Sequence, residues 1–218
     1  MAKLTMQGQC KTCSSNFSKR SALKHFSSCN DLQTFLKKSS NKEGSFIIKV
    51  QFPYAVSVYW MYLLLPKKMK LKKLDQFLRD TWLECCGHLS AFTIEGISYS
   101  SSPEGEESMN ISCNHILFPK LKFRHEYDFG STTELEFEVV GEWKSTPQKD
   151  ILLLMKNNPP EFPCDGCRKT AAHICTHCEK SLCKACVTSH GCVEDEGGDD
   201  YMISSLANSP RAGVCGYE

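Results

Sequence analysis

Metal-ligating side chains dominate the stretch from Cys164 to Cys192. Three C-x-x-C pairs there are followed by a histidine and a further cysteine. Each pair places two sulfur atoms at one turn, and thiolate with imidazole is the ligand set that selects zinc over harder cations. The stretch therefore predicts two tetrahedral zinc sites. The eight predicted ligands are Cys164, Cys167, Cys175, Cys178, Cys183, Cys186, His190 and Cys192.

The spacing of the pairs indicates how these ligands divide. Seven residues separate the first pair from the second and four separate the second from the third, too few for two independent zinc knuckles. We expect the first and third pairs to hold one ion, and the second pair, His190 and Cys192 to hold the other. This order resembles the cross-braced B-box zinc finger, which implies structural sites. The two spare imidazoles, which could substitute as ligands, are predicted to lie at the surface: His173 and His177.

Disulfide bonds are the competing explanation for so many cysteines. They would need an oxidising compartment, and the segment from Met1 to Gly8 lacks the charged and apolar regions of a signal peptide. C-x-x-C repeats in a cytosolic protein indicate metal before disulfides. We therefore predict a cytoplasmic protein with ligated cysteines.

A third zinc site is predicted at the N-terminus. Cys10 and Cys13 form a C-x-x-C pair, and a predicted helix carries His25 and Cys29 four residues apart on one face. The segment resembles a finger of the two-cysteine, two-histidine class with its last histidine replaced by cysteine. It has eleven residues between Cys13 and His25 where that class has twelve, so the register for reading DNA bases is not predicted. The residues expected in its small core are Phe17 and Ala22.

Length and composition bound the remaining possibilities. With 218 residues, 41% hydrophobic residues and a net charge of +1, the chain fits one medium core plus small appended modules. The apolar run from Tyr54 to Leu65 is shorter than the roughly 20 residues that cross a bilayer. Most of the 14 cysteines fall in the two clusters. Those in the middle are predicted to be buried thiols: Cys85, Cys86 and Cys113.

The hydrophobic pattern between residues 45 and 147 predicts the main domain. Alternation from Phe46 to Phe52 predicts a strand, and a second strand ends at Pro66. Apolar residues from Leu71 to Cys85 recur every three or four residues, which predicts an amphipathic helix. Alternating residues on both sides of a turn near Gly130 predict a hairpin. The fold class is therefore α+β, with a largely antiparallel sheet and one main packed helix.

Composition changes divide the chain into six predicted parts. The divisions follow polar linkers, proline pairs and the acidic run from Glu194 to Asp200. The parts are a zinc finger (1–31), a polar linker (32–44), the α+β domain (45–147), a helix and proline linker (148–163), the binuclear zinc module (164–193), and the acidic run with an extended tail (194–218).

Several blocks of the main domain resemble a known family. LPKKMKLKKLDQFLRDTW, then Gly87-His88-Leu89 with Phe92, and HEYDFG ending at Gly130 are similar to the plasmid pRiA-type ORF-three-like family, which includes TnpR-like passenger proteins of insertion elements. The resemblance implies an α+β fold of unestablished biochemical activity. The family often continues D-x-W-x-H after this block, and the corresponding positions here are Ser131, Thr133 and Leu135. Relatives that join this domain to a cysteine cluster and a tail like NSPR with GVCGY imply that the three parts form one architecture.

Catalysis is not predicted. An enzyme needs an open metal position, an activated nucleophile or a convergent acid and base, and full cysteine-rich ligation leaves no open position. The main domain offers four candidate groups, without an accompanying nucleophile or phosphate-binding loop, and its histidines are expected to be packed or at a rim. The candidates are His88, His115, His125 and Asp128.

Two groups of basic residues leave open whether the partner is nucleic acid or protein. The first lies in the N-terminal finger and the second at the start of the main helix, where cations oppose the helix dipole. Interleaved aromatics and arginine forks, which favour base recognition, are missing from both groups. We predict a zinc-binding interaction protein with three zinc ions and a protein partner; the alternative is weak nucleic-acid binding associated with a mobile element. The basic residues are Lys11, Lys19, Arg20, Lys24, Lys67, Lys68, Lys70, Lys72 and Lys73.

Overall fold

A ten-stranded sheet runs through most of the chain in the computed structural model, which describes residues 5–37, 43–144, 150–194 and 202–217. Its strands are β1 (Gln7–Cys10), β2 (Asn16–Ser18), β3 (Ser45–Gln51), β4 (Trp60–Pro66), β5 (Ser90–Ile94), β6 (Ile97–Ser100), β7 (Glu107–Ser108), β8 (Lys122–Tyr127), β9 (Thr133–Trp143) and β10 (Leu152–Asn157). The strand order is β2-β1-β10-β4-β3-β9-β8-β5-β6-β7, and only β6 and β7 pair in parallel. The predicted α+β class with a largely antiparallel sheet is confirmed.

The predicted main helix covers one face of this sheet. It comprises α3 (Leu71–Leu78) and a π-helical turn (Arg79–Leu83) that continues it. Leu71, Leu74 and Leu78 are fully buried, because their spacing of three and four places them on one side of the helix. They pack against the inward-facing residues of β3, β4, β8 and β9.

The predicted hairpin is formed by β8 and β9. Phe123 lies opposite Phe137, and their rings stack with centroids 4.7 Å apart. The chain turns at Asp128, which has a φ of 63° and accepts hydrogen bonds at Oδ1 from the backbone N–H groups of Gly130 and Ser131. Aspartate tolerates this left-handed conformation because its side chain bonds the local backbone.

The other face of the sheet is covered near β4 by two short helices, α1 (Ala22–Ser28) and α2 (Asn30–Lys37). Phe26 and Leu32 are buried there against Trp60. The prediction of a polar linker from residue 32 is therefore wrong up to Lys37, because buried leucines at 32 and 36 give that segment a helical apolar face. The rest of that predicted linker, residues 38–42, lies outside the described residues.

The helix predicted within residues 148–163 is also corrected. Residues 145–149 lie outside the described part, and the segment that follows is the strand β10, paired with β1 on one side and β4 on the other. Its sequence, LLLMKN, lacks alternation because both faces contact apolar residues. Through β10 the N-terminal finger is part of the main sheet, with Gly8 opposite Asn157.

The C-terminal region forms a second, three-stranded sheet. Its strands are β11 (His173–Cys175), β12 (Ser181–Leu182) and β13 (Ile203–Ser205), in the order β12-β11-β13, and two short helices follow β12: α4 (Lys184–Val187) and α5 (Gly191–Glu194). Except for Glu194, the acidic run lies outside the described residues.

The segment after β13 packs on the main domain. Trp82 Nε1 donates to the carbonyl oxygen of Asn208 (3.0 Å), and Ser209 Oγ donates to the carbonyl oxygen of Trp82 (2.6 Å). Both Trp82 and Ser209 are almost fully buried. Among the described residues, no helix has the length and apolar character needed to cross a membrane.

Candidate metal centres

Four groups of cysteine and histidine side chains converge in the described part of the chain. In each group the four candidate ligand atoms all lie within 4.8 Å of one another. Three groups are the ligand sets predicted from the sequence, with the predicted division between the two C-terminal sites. The groups are Cys10, Cys13, His25 and Cys29; Cys164, Cys167, Cys183 and Cys186; Cys175, Cys178, His190 and Cys192; and Cys85, Cys86, His88 and Cys215.

The separations within these groups match the edges of a zinc tetrahedron. Zinc bonds of about 2.3 Å to sulfur and about 2.0 Å to nitrogen place two sulfurs about 3.8 Å apart and a sulfur and a nitrogen about 3.5 Å apart. Cys13 Sγ and His25 Nε2 are 3.5 Å apart, and Cys167 Sγ and Cys183 Sγ are 3.6 Å apart. A disulfide would require about 2.05 Å between sulfurs. The donor set therefore fits zinc better than a covalent bridge.

The N-terminal group is built by a hairpin and a helix. The turn between β1 and β2 carries Cys10 and Cys13, and α1 brings His25 against them. The ring of Phe17 stacks on the His25 imidazole with centroids 3.8 Å apart, which fixes the ring orientation. Burial alone would raise the pKa of Cys10, but hydrogen bonds from Thr12 and backbone groups outweigh it and lower the pKa to about 6, which favours the thiolate that zinc requires.

The first C-terminal group joins two turns that carry C-x-x-C pairs. Hydrogen bonds from backbone N–H groups lower the pKa of Cys164 to about 6, and the largest contribution comes from the N–H of Cys183. Hydrogen bonds with the neighbouring Cys167 and Cys164 sulfurs raise the pKa of Cys186 to about 12. A bound cation would offset the negative charge of the thiolates in this cluster. Gly166 keeps the turn tight, since an added Cβ would lie 2.9 Å from Cys186 Sγ.

The second C-terminal group contains three cysteine thiols and one imidazole. Cys178 Sγ lies 3.3 Å from His190 Nε2, a separation close to a zinc tetrahedron's sulfur–nitrogen edge. Burial would raise the pKa of Cys175, but backbone N–H groups of Cys178 and His177 outweigh it and lower the pKa to about 6. The side chains of His173 and His177 are outside both groups. His177 is exposed, as predicted, whereas His173 is half-buried in β11.

The fourth group was not predicted. Cys85 and Cys86 were expected to be buried thiols, but Cys85 is half-buried and Cys86 is exposed. Only Cys113 is buried as expected, and burial raises its pKa to about 12. The C-C-x-H sequence was a local signal for this group. Its last member, Cys215, comes from the other end of the chain, and sequence spacing does not reveal that distant partner.

Of the four candidate catalytic residues, His88 and Asp128 lie close together, with 3.5 Å between His88 Nε2 and Asp128 Oδ2. The four do not converge on one open site. His125 is fully buried, and its Nε2 lies 2.8 Å from Asp75 Oδ1 in the core. Asp128 accepts a 2.6 Å hydrogen bond from the buried Arg211, and His88 belongs to the fourth cysteine group. His115 ends a 3-10 turn (Cys113–His115).

A groove of about 690 Å³ is lined mainly by charged and polar side chains of β3, β8 and β9. Lys49 pairs with Glu138 there, and Gln51 Nε2 donates to Glu136 Oε2 (3.0 Å). None of the four candidate catalytic residues is among those that line this groove.

Several of the predicted basic residues have acidic or polar partners. Lys67 Nζ lies 2.9 Å from Glu142 Oε1, and Lys68 pairs with Glu43. Lys70 donates to the carbonyl oxygen of Asn110 (3.0 Å). In the finger, Lys19 donates to Gln51 Oε1 (3.0 Å). These contacts reduce the positive potential that phosphates would meet.

No family model matches the chain, and no curated protein does. Among solved structures, the chain is similar to the crystal structure of a protein of unknown function, MM3350, from Methanosarcina mazei Go1. The two are 11% identical, with 52% of this chain and 68% of that chain covered and a TM-score of 0.44.

Proposed function

We propose that this chain is a zinc-binding, non-catalytic interaction protein of the plasmid ORF-three-like family, and that its partner is a protein. The observation that carries the zinc assignment is the assembly of the three predicted ligand sets. Each set brings four sulfur or nitrogen donors within 4.8 Å of one another. A zinc ion with four protein ligands has no position for water, so such sites stabilise structure and perform no chemistry.

The environment of the candidate acid and base groups supports a non-catalytic role. His125 lies in the apolar core beside Phe92, with ring centroids 4.5 Å apart, and its partner Asp75 also accepts from Arg79 and Ser90. This buried pair joins helix α3 to strand β8 of the sheet, and His125 Nδ1 has no hydrogen-bond partner among the described residues. A general base must instead reach a substrate.

The pairing of the basic residues supports a protein partner over nucleic acid. Nucleic-acid binding draws most of its affinity from cations that neutralise phosphates. Lys67 and Lys68 each face a carboxylate of the same chain, and a competing phosphate would have to displace it. Weak nucleic-acid binding in a mobile-element context is the alternative function.

One pair of assays separates the two functions. Binding of duplex DNA and of RNA is titrated against salt with the wild type and with a variant in which the five lysines Lys67, Lys68, Lys70, Lys72 and Lys73 are replaced by serine. We expect weak binding at physiological salt that is lost as salt rises. Tight binding that disappears in the variant would establish the alternative.

The second assay tests the protein partner. The wild type, the zinc-site variant Cys175→Ser/Cys178→Ser and the control Cys113→Ala are used as baits, and bound proteins are quantified by mass spectrometry. Cys113 is a buried cysteine outside all four groups. We expect a protein that both the wild type and the control retain and that the zinc-site variant loses. Equal recovery by all three baits would show that the C-terminal module is not the binding surface.

A further inference from the structure

The fourth cysteine group lies where the C-terminal tail meets the main sheet. Cys85, Cys86 and His88 follow the π-helical turn, and Cys215 comes from the tail. The geometry points to a fourth zinc ion, bound by these four residues, that clamps the C-terminal tail to the main domain. This inference concerns residues outside the three sites proposed above and stands independently of them.

Four separations within the group are close to those of a tetrahedral site. Cys86 Sγ lies 3.7 Å from Cys85 Sγ and 3.6 Å from Cys215 Sγ. His88 Nε2 lies 3.0 Å from Cys86 Sγ and 3.3 Å from Cys215 Sγ. A zinc tetrahedron has sulfur–sulfur edges of about 3.8 Å and sulfur–nitrogen edges of about 3.5 Å. One nitrogen and three sulfurs therefore surround a space of the size that Zn²⁺ fills.

A buried guanidinium beside the group offsets its charge. Three thiolates and a neutral imidazole leave a bound zinc site with net negative charge. Arg211 is fully buried, and its Nη2 donates to Cys85 Sγ at 3.5 Å and to Asp128 Oδ2 at 2.6 Å. Hydrogen bonds of this kind to a ligating sulfur orient the ligand and stabilise the metal site. The arginine that anchors the tail therefore also supports the predicted metal site.

The backbone of the tail is consistent with a bond at Cys215. This residue has a φ of 51°, in the left-handed region that non-glycine residues rarely adopt. Just before it, Gly213 has a φ of 79°, and an added Cβ there would lie 2.8 Å from Ile174 Cγ2. The tail is thus turned sharply between the zinc module and the main domain, and the turn places the Cys215 sulfur in the group. A metal bond offsets such backbone strain.

A disulfide between two members of the group explains less of the geometry. Joining Cys86 to Cys215 would require their sulfurs to move from 3.6 Å to about 2.05 Å apart. It would also leave unexplained why His88 Nε2, which lies 3.5 Å from Asp128 Oδ2, approaches both sulfurs. Zinc uses all four side chains.

The first test is a difference in metal content. Zinc per chain is measured by elemental analysis in the purified wild type, in Cys86→Ser/Cys215→Ser and in the control Cys113→Ala. Both substituted ligands are exposed, so the variant retains its core. We expect the variant to hold one zinc fewer than the wild type and the control, whatever the occupancy of the other three sites. Equal zinc in all three proteins, or a Cys86–Cys215 disulfide in a non-reducing peptide map, would overturn the proposal.

The second test concerns the clamp itself. Trypsin cleaves after arginine, and Arg211 is inaccessible while the tail is docked. We expect cleavage after Arg211 to be at least tenfold faster in Cys86→Ser/Cys215→Ser than in the wild type, and unchanged in Cys113→Ala. A variant that loses one zinc but is cleaved at the wild-type rate would show that the ion does not hold the tail.

Discussion

The guanidinium of Arg211 lies 4.8 Å from the ring centroid of Tyr127, and Arg79 lies 4.7 Å from the same centroid. A tail residue and a residue of the main helix thus both contact one tyrosine of β8. Tyr127 Oη also donates to Glu84 Oε1 (3.0 Å). This arrangement ties the tail to the same buried polar network that holds the helix on the sheet, so the tail contributes to the stability of the main domain.

Removing the tail arginine should destabilise the protein. Arg211→Met keeps apolar volume but leaves the Asp128 carboxylate without its cation. We expect the Tm to fall by roughly 5–10 °C, because breaking a buried ion pair leaves one charge uncompensated. Differential scanning calorimetry measures the change. The control is Lys67→Met, which breaks the exposed pair with Glu142 and should change the Tm by about 2 °C or less.

The double variant Arg211→Met/Asp128→Asn, compared with the two single variants, measures the energetic coupling between Arg211 and Asp128. With no charge left unpaired, it should melt at a higher temperature than Arg211→Met alone. A double variant whose loss equals the sum of the single losses would show that the ion pair is not what stabilises the docked tail.

Acid stability should depend on Asp75. Burial alone would raise its pKa, but hydrogen bonds from His125, Arg79 and Ser90 outweigh burial and lower the pKa to about 2 from the ordinary value of 3.8. Because the folded-state pKa is below the unfolded-state pKa, this stabilisation is complete above about pH 4 and is lost as the pH falls toward 2.

The variant Asp75→Asn should remove that contribution. We expect it to lower the free energy of unfolding by roughly 2 kcal/mol at pH 7 and to flatten its pH dependence between about pH 4 and pH 2. Urea titrations across this range measure both effects. Asp80→Asn, an exposed change on the same helical segment, is the control and should follow the wild type. An Asp75→Asn curve parallel to that of the wild type would contradict the assignment.

Local patterns predicted the parts of the sites that are close in sequence. Each C-x-x-C pair forms one turn, so Cys164 and Cys167 must converge whatever the rest of the fold. The alternation around Phe123 and Phe137 likewise predicted the hairpin, because one face of each strand is buried. In both cases the determining contacts lie within a few tens of residues.

Features set by distant contacts were missed. Cys86 and Cys215 are 129 positions apart, and only the docking of the tail brings them together. Strand β10 lies between β1 and β4 and therefore has no polar face. The sequence predicts a helix for this segment. Without knowledge of its two neighbours, its run of leucines does not distinguish a central strand from a helix.

The contact of the finger with the main sheet can be tested at Gly8. An added Cβ there would lie 2.4 Å from Trp60 Cη2 and 2.8 Å from the carbonyl oxygen of Lys156. We expect Gly8→Ala to lower the free energy of unfolding by about 1–3 kcal/mol, as overpacking of a buried contact does. The control is Gly141→Ala in β9, where the nearest atom, Ile47 Cδ1, lies at an ordinary 3.6 Å. Equal stability of the two variants would show that the finger is not packed against Trp60.

Chelation should separate the metal-dependent regions from the main core. Structural zinc supplies much of the folding free energy of small modules, so a strong chelator should unfold residues 164–192. The core between α3 and strands β3, β8 and β9 is apolar and contains no member of the three predicted sites. Hydrogen exchange followed by mass spectrometry should show lost protection in residues 164–192 and in the hairpin of the finger, with β3 and β9 still protected. Added zinc should restore the original pattern. Loss of protection in β3 and β9 in the same transition would show that the zinc sites and the main sheet form one cooperative unit.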